Sequence, residues 1–342
     1  MNAQQALARI VAFEDLPFDD MLMLMRQLIA GELGDTLAVA LMVALRMRGE
    51  RVDDIAAIAI AVRECMIEVP LDGSAPPAVD LCGTGGDGSR SFNVSTAASF
   101  VACAAGARVA KHGNRGVSST CGSADVLQAL GVDITLAPGQ LAQCLQQVGM
   151  AFMFTPNHHP AMLRLAGVRK ALGLRTLFNI TGPLANPARV PHQLVGVFEA
   201  RLVPQLAQVL ARLGTRRALV VHGHGGLDEI TLADRTSVAE LRDGVVRTCE
   251  IGPEDFGIAR APLDALRADG IEAACQLLKH ALSGTAGPAR DVVVLNAGAA
   301  LYTCGVAASL PQGVLRAAEA VDSGAALSKL HELVQFTRQF NH

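Results

Sequence analysis

A glycine-rich turn placed directly after an apolar run limits what this chain can fold into more than any other feature. Ala78-Val79-Asp80-Leu81-Cys82 reads as a buried strand, and Gly83-Thr84-Gly85-Gly86-Asp87-Gly88 follows at once. A polar stretch, Ser89-Arg90-Ser91-Phe92-Asn93-Val94, then leads into an Ala-rich helical pattern from Ser95. A strand, a glycine turn and a helix N-terminus in that order present free backbone N–H groups to an anion of the phosphate type. Between Asp87 and Asp125 there is no acid, while Arg90, Arg108, Lys111 and Arg115 are all present. That imbalance raises the local potential in the same direction. A phosphorylated substrate is therefore the first expectation.

Gly83, Gly85 and Gly88 also satisfy the spacing G-x-G-x-x-G. Dinucleotide binding needs the helix to open at the third glycine and an acid about 20 residues further on, for the ribose hydroxyls. Here the helix opens later and the acid position falls in the basic stretch around Arg108 and Lys111. A nicotinamide enzyme is disfavoured.

The pattern on either side of this turn divides the chain. Residues 1–70 read as four helices: Gln4–Phe13, a second from Leu16-Pro17 to Ile29, Thr36–Arg48, and a fourth from Asp53 to Met66. Apolar residues recur at three and four, with Gly or Pro between the blocks. Leu71 to Pro77 has linker composition. From there to residue 342 short apolar runs alternate with longer helical ones. Strands are predicted at Val79–Cys82, Arg108–Lys111, Ala151–Phe154, Leu194–Phe198 and Ala218–His222. Helices are predicted at Ser95–Ala105, Ser123–Leu130, Gly139–Val148 and Val203–Leu213. This is the signature of an α/β domain with a mostly parallel central sheet. Two further strands, around Ile230–Leu232 and Ser237–Arg242, are expected as an antiparallel appendix, and the tail from Ile271 as helical.

At 342 residues and 51% hydrophobic the chain can bury a large core. A formal net charge of −3 argues against a nucleic-acid-binding surface. The eight cysteines are scattered, without a C-x-x-C pair, and read as small buried side chains in a reducing compartment. The first residues lack the basic and apolar regions of a signal peptide. Val292 to Leu315 carries no charge but is interrupted by Asn296, Gly298, Gly305 and Pro311, which suits a buried helix and loop better than a membrane span. A cytoplasmic protein that binds neither membrane nor nucleic acid is expected. Asp228-Glu229, between glycines and an apolar run, offers two hard oxygen donors of the kind Mg²⁺ takes together with substrate phosphates. His222 and His224 have no accompanying ligand cluster and are read as loop residues. No Ser-His-Asp or Cys-His nucleophile arrangement is visible, and no residue is assigned as a covalent catalyst.

Taken together, these motifs resemble the anthranilate phosphoribosyltransferases of tryptophan biosynthesis. The pieces that carry the resemblance are Asp80–Gly88, Phe92–Thr96, Lys111–Arg115, Ser118-Ser119, Gly122–Leu127, His159–Met162, Val168–Gly173 with Arg175-Thr176, Gly182–Leu184 with Asn186-Pro187, and Gly226–Ile230. They run in the family's order across the whole chain. The resemblance implies a small all-helical domain, residues 1–72, joined in space by a helical segment near 160–183. It also implies a large α/β domain, 73–342, of the nucleoside phosphorylase and phosphoribosyltransferase type. The implied reaction transfers phosphoribose from 5-phosphoribosyl 1-pyrophosphate to anthranilate and releases pyrophosphate, with Mg²⁺ as cofactor and a homodimer as the assembly.

The resemblance carries over onto Gly83, Gly85, Gly86, Asp87, Ser91, Asn93, Ser95, Thr96, Lys111 and Ser123 as contacts for phosphoribosyl pyrophosphate. Gly83, His112, Asn114, Arg169 and Pro183 carry over for anthranilate, with Arg169 facing its carboxylate, and Ser95, Asp228 and Glu229 for the metal. Asn93, Ser95 and Thr96 also stand where helix caps are usual. His112 has no acid near it in sequence, and shaping the pocket is as reasonable a role for it as proton transfer. Cys121, Gly116, Gln128 and Gly226 depart from the usual family residues, and Gly226 is expected to loosen the metal loop. The alternatives are a pyrimidine nucleoside phosphorylase, with a nucleobase pocket in place of Arg169 and Asn114, and a non-enzymatic, nucleic-acid-binding relative.

Overall fold

The structure, a computed structural model, describes residues 1–73, 76–116 and 121–340. Ser118 and Ser119 of the sequence motifs lie outside the described residues, as does the middle of the linker. The chain opens with four helices: α1 (Ala3–Val11), α2 (Phe18–Ala30), α3 (Gly34–Arg48) and α4 (Val52–Glu64). Gly31 and Gly49, both at positive φ, end α2 and α3.

A seven-stranded sheet follows, in the order β3-β2-β1-β4-β5-β6-β7. Its strands are β1 (Ala78–Gly83), β2 (Arg108–Gly113), β3 (Met150–Phe154), β4 (His192–Gly196), β5 (Arg217–Gly223), β6 (Thr236–Arg242) and β7 (Val245–Ile251). The first five are parallel, and β6 and β7 add an antiparallel hairpin at one edge. The antiparallel appendix is therefore one strand further on than expected. Ile230–Leu232 is buried but forms no strand, and β6 lies between β5 and β7. Asp243 and Gly244, both at positive φ, make the two-residue turn between them.

Strand residues alternate between two cores, as the pleat requires. Leu194, Leu219 and Val221 join one apolar cluster; Val195, Ala218 and Val220 join another with Ile55, Ala56 and Ala59 of α4. The first face is covered by α5 (Val94–Ala104), with α6 (Ser123–Ala129) and α7 (Pro138–Gln147) toward the β3 edge. After β3 come the short helices α8 (Thr155–His158), α9 (Pro160–Arg164), α10 (Ala166–Leu172) and α11 (Phe178–Thr181). α12 (Leu202–Arg212) covers the second face. The tail, α13 (Ile271–Leu282), α14 (Pro288–Thr303), α15 (Leu310–Asp322) and α16 (Ala325–Arg338), returns to the first. α14 is buried almost throughout, and no helix among the described residues is long and apolar enough to cross a membrane.

A third cluster packs Ile10, Met25, Leu41, Leu45 and Val62 of α1–α4 against Leu165, Val168, Leu177 and Phe178. The middle segment thus shares a core with the first helices although about a hundred residues separate them.

From β1 the chain moves outward to β2 and β3, then returns to β4 on the other side of β1 and moves outward to β5. The strand order therefore reverses between β1 and β4. In open α/β sheets that reversal leaves a crevice beyond the carboxyl ends of the two strands, where ligands bind.

Candidate active site at the strand reversal

Four of the five parallel strands end in glycine: Gly83, Gly113, Gly196 and Gly223. Three of these glycines make room for one passing segment. A Cβ on Gly83 would lie 2.3 Å from an Asp228 carboxylate oxygen, and one on Gly196 only 1.5 Å from the Asp228 carbonyl oxygen. One on Gly223 would lie 2.7 Å from Thr231 Cβ and 2.9 Å from the Glu229 carbonyl. Residues 228–231 are thus laid across the sheet's carboxyl edge, closer than any side chain would permit. Gly225 and Gly226 form the turn before them at φ +95° and +102°. The Gly226 and Leu227 N–H groups both donate to the Gly223 carbonyl, at 3.0 and 3.2 Å. Gly226 supplies the positive φ that this tight turn uses.

The two carboxylates meet the glycine turn and the start of α5. Gly85 N–H donates to Asp228 Oδ2 at 2.7 Å, and Ser95 N–H donates to Glu229 Oε1 at 3.0 Å. Asp228 N–H in turn donates to Asp87 Oδ2 at 3.3 Å. Burial raises the Asp228 carboxyl well above the usual carboxylate range, and Asp87 and Glu229 push it further the same way. Glu229 is raised to about 7, by burial first, against the opposing charge of Lys111. Carboxylates held this close, with one lysine as counter-charge, suit a cation. Among the described residues no three His, Cys, Asp or Glu side chains group as a metal site, so a cation placed here would need further ligands from outside the chain.

Lys111 is 2% exposed and lies two residues before the end of β2 rather than at it. Its ammonium donates to the Leu81 carbonyl and, at 3.2 Å, to Ser95 Oγ. It therefore acts from beneath the glycine turn. The helix caps also differ from expectation. Asn93 stands at the cap of α5 but makes no capping bond, and its amide reaches the Cys121 carbonyl at 3.5 Å. The α5 N-terminus is capped by Glu229, a favourable place for a negative charge. Thr96 faces inward, fully buried, with no hydrogen-bond partner for its hydroxyl. Ser91 pairs with Ser89 at 3.1 Å, while Ser123 leans on the end of β2 and donates to the Asn114 carbonyl at 3.3 Å. Asn114 is exposed; Arg115 beside it is held by Asp125 and Gln128, each at 2.8 Å.

A second group gathers behind β2. His112 is buried, with Nδ1 3.3 Å from the Gly182 carbonyl and Nε2 3.1 Å from Thr155 Oγ1. Its ring lies 5.1 Å from that of His159. Burial, then His159 and His158, push its pKa well below the ordinary value, so the imidazole is neutral. Neither ring nitrogen meets a carboxylate, which favours shaping the pocket over proton transfer. Pro183, next to Gly182, is buried and its carbonyl accepts from Gln193 at 2.7 Å. Arg169, on α10, stands 5.5 Å over the Phe178 ring and is partly desolvated.

Several members of the site escaped the sequence reading. Asp80, fully buried in β1, accepts from His112 N–H at 3.1 Å and from Asn186 at 2.8 Å, and so ties the glycine strand to β2 and the Pro183 segment. Arg175 reaches across from the middle segment to the Gly86 carbonyl while its guanidinium stacks 4.6 Å over Phe198. His222, read both as the last residue of a strand and as a loop residue, lies in β5 with Nδ1 2.7 Å from the Val197 carbonyl; His224 follows the strand and pairs with Ser237 at 2.9 Å. Asp80 and Arg175 were visible as letters of the motifs, but only their long-range partners give them a role.

Residues 75–327 match the family described as glycosyl transferase family, a/b domain, and residues 4–66 its helical bundle domain. The anthranilate phosphoribosyltransferase of Nitrosospira multiformis is 49% identical over 100% of this chain and 98% of its own length. The chain belongs to the anthranilate phosphoribosyltransferase family. The relative from Acidovorax sp. is 51% identical over 99% of this chain and 98% of its own. Among solved structures, the enzyme of Thermus thermophilus superposes with a TM-score of 0.92 at 42% identity, covering 99% of this chain and 100% of its own. That of Saccharomyces cerevisiae, in complex with phosphoribosyl pyrophosphate and Mg, gives 0.89 at 25%, covering 99% and 98%.

Proposed function

We propose that the crevice between β1 and β4 binds 5-phosphoribosyl 1-pyrophosphate with Mg²⁺ and transfers its phosphoribosyl group to the amine of anthranilate, releasing pyrophosphate. The observation that carries this reading is the threading of Asp228 and Glu229 against the glycine turn and the α5 N-terminus. That arrangement places hard oxygen donors beside the backbone of Gly86 to Gly88, the two kinds of group a metal-bound pyrophosphate requires. Asp228 and Glu229 are the residues that would hold the metal, with the Ser95 hydroxyl beside them. When bound, the metal stabilises negative charge on the departing pyrophosphate.

The chain's own groups supply the rest. The N–H groups of Gly86, Asp87 and Gly88 would stabilise the same charge as it grows, since Thr84 N–H is taken by the Gly196 carbonyl and Gly85 N–H by Asp228. Lys111, buried beneath the turn, holds the Leu81 carbonyl and Ser95 in register and balances the carboxylates. Anthranilate belongs on the other wall. Arg169 faces its carboxylate, a geometry a guanidinium fork suits, while His112, Asn114 and Pro183 shape the ring's pocket. Its amine is conjugated with the ring and needs little deprotonation before attack, which agrees with a neutral, fully occupied His112. Holding that amine against the anomeric carbon supplies the proximity contribution.

Residues 1–72 with the segment 160–183 are read as one lobe and the remainder as the other, so that the substrates meet at their boundary. A homodimer is the proposed assembly, supported by the exposed apolar side chains Val11 of α1, Met47 of α3 and Phe13 in the turn after α1. The anthranilate relatives speak against a nucleoside phosphorylase, and the net charge of −3 against a nucleic-acid binder. The test is loss of anthranilate fluorescence with phosphoribosyl pyrophosphate and Mg²⁺, run beside uridine with phosphate. Turnover of uridine without loss of anthranilate would reject the reading.

A further inference from the structure

The carboxylate loop has a support that the reaction described above does not use. Ile230, directly after Glu229, forms no strand ladder, yet it is 1% exposed and its backbone must be satisfied. One side chain does this. Asn296, fully buried on α14, accepts from Ile230 N–H at 3.0 Å through Oδ1 and donates to the Ile230 carbonyl at 2.9 Å through Nδ2. Its second amide hydrogen goes to the Val292 carbonyl one turn back, also at 2.9 Å. The amide therefore mimics a neighbouring strand at a single residue.

The setting makes this specific. α14 buries Val292, Val293, Leu295, Ala297 and Leu301 around Asn296, and its other buried polar side chain, Thr303, bonds only to its own helix, at Ala299. Three strand-end glycines bound residues 228–231 on the sheet side, and Asn296 closes them from the helix side. With Thr231 N–H held by Thr236 Oγ1 at 3.1 Å, the backbone after the carboxylates is pinned at two successive residues.

We propose that Asn296 is a positioning residue for the reaction, its amide pinning Ile230 so that Asp228 and Glu229 are aimed at the metal-bound pyrophosphate. This rests on the function proposed above. The amide touches neither substrate nor metal; it acts through the loop. Partners of this kind behind a metal ligand commonly matter by 10- to 100-fold in metal affinity.

The test compares wild type with Asn296→Leu, Asn296→Ser and, as a control on the same helix, Thr303→Val. Inorganic pyrophosphate is titrated calorimetrically with and without Mg²⁺, and exchange of the Ile230 amide is followed by mass spectrometry or NMR. Both Asn296 variants are expected to bind pyrophosphate about tenfold or more weakly with Mg²⁺ present, and as wild type does without it. Faster Ile230 exchange and an unchanged KM for anthranilate are expected alongside, with Thr303→Val matching wild type throughout. Equal magnesium-dependent affinity in wild type and the Asn296 variants would overturn the proposal, and so would an equal loss in Thr303→Val. Failure of both Asn296 variants to fold beside a folded Thr303→Val would assign the amide to stability alone and likewise overturn it. A wild type that binds magnesium pyrophosphate yet consumes no anthranilate would reject the proposed function while leaving the wild-type–variant difference to stand.

Discussion

Replacing Glu229 by Gln should stabilise the metal-free protein above neutral pH while abolishing turnover. The folded protein holds the Glu229 proton up to about 7 against an ordinary 4.5, because burial, helped by the charge of Asp87, outweighs the pull of Lys111. Each decade in an ionisation constant is worth about 1.4 kcal/mol, so ionised Glu229 costs the fold roughly 3 kcal/mol relative to the unfolded chain. The sign follows from proton counting. Between the two values the folded state binds more protons than the unfolded one, so this group's stability is full below 4.5 and is lost as pH rises through 7. Gln keeps an oxygen for Ser95 N–H and never ionises. Denaturant melts of wild type and Glu229→Gln without metal should therefore differ little near pH 4.5 and by up to about 3 kcal/mol in favour of the variant near pH 8. Mg²⁺ with pyrophosphate should reverse the order by stabilising wild type alone. A pH-independent difference, or a variant less stable at pH 8, would refute the assignment of Glu229 as a strained carboxylate awaiting a cation.

Arg169→Ala should weaken anthranilate use by about 2–5 kcal/mol, the cost of leaving a desolvated carboxylate unpaired, with the KM for phosphoribosyl pyrophosphate unmoved; equal rises in both would indicate a general structural role. Arg175→Ala frees the Gly86 carbonyl and should raise the KM for phosphoribosyl pyrophosphate more than that for anthranilate, a split that steady-state kinetics measures directly. Gly196→Ala places a methyl 1.5 Å from the Asp228 carbonyl and should displace the carboxylate loop, lowering both melting temperature and Mg²⁺-dependent activity. His159 is pushed down to about 4 by burial. Its contribution to stability should be present above pH 6.5 and fade as pH falls toward 4, which His159→Gln would remove from the pH profile of the melts.

The parallel strands and the main helices were legible because each carries its own period and most are punctuated by glycine. The glycine turn and the Asp228-Glu229 pair were legible for a related reason: both are local patterns with local chemistry. What failed was long-range. Ile230–Leu232 has the apolar letters of a strand, but a single amide 66 residues away takes the place of a partner strand. The hairpin partner of β6, Val245–Ile251, was announced only by Asp243-Gly244, a turn signal that the apolar run at 230 obscured. Asn93 carried the usual letter for a helix cap, yet Glu229, 134 residues beyond Ser95, does the capping. Lys111 looked like a phosphate contact at a strand end, and only the fold puts its ammonium beneath β1. No local pattern encodes a side chain's distant partner, and the site residues that eluded the sequence, Asp80, Arg175 and Asn296, are all of that kind.

The most direct test of where the chemistry sits is a crystal of the protein grown with Mn²⁺ in place of Mg²⁺ and soaked with phosphoribosyl pyrophosphate. The anomalous peak should lie between the Asp228 and Glu229 carboxylates and the pyrophosphate oxygens, with the pyrophosphate on the N–H groups of Gly86 to Gly88 at the carboxyl ends of β1 and β4. A pyrophosphate bound away from that turn, or a metal with neither carboxylate among its ligands, would contradict the account.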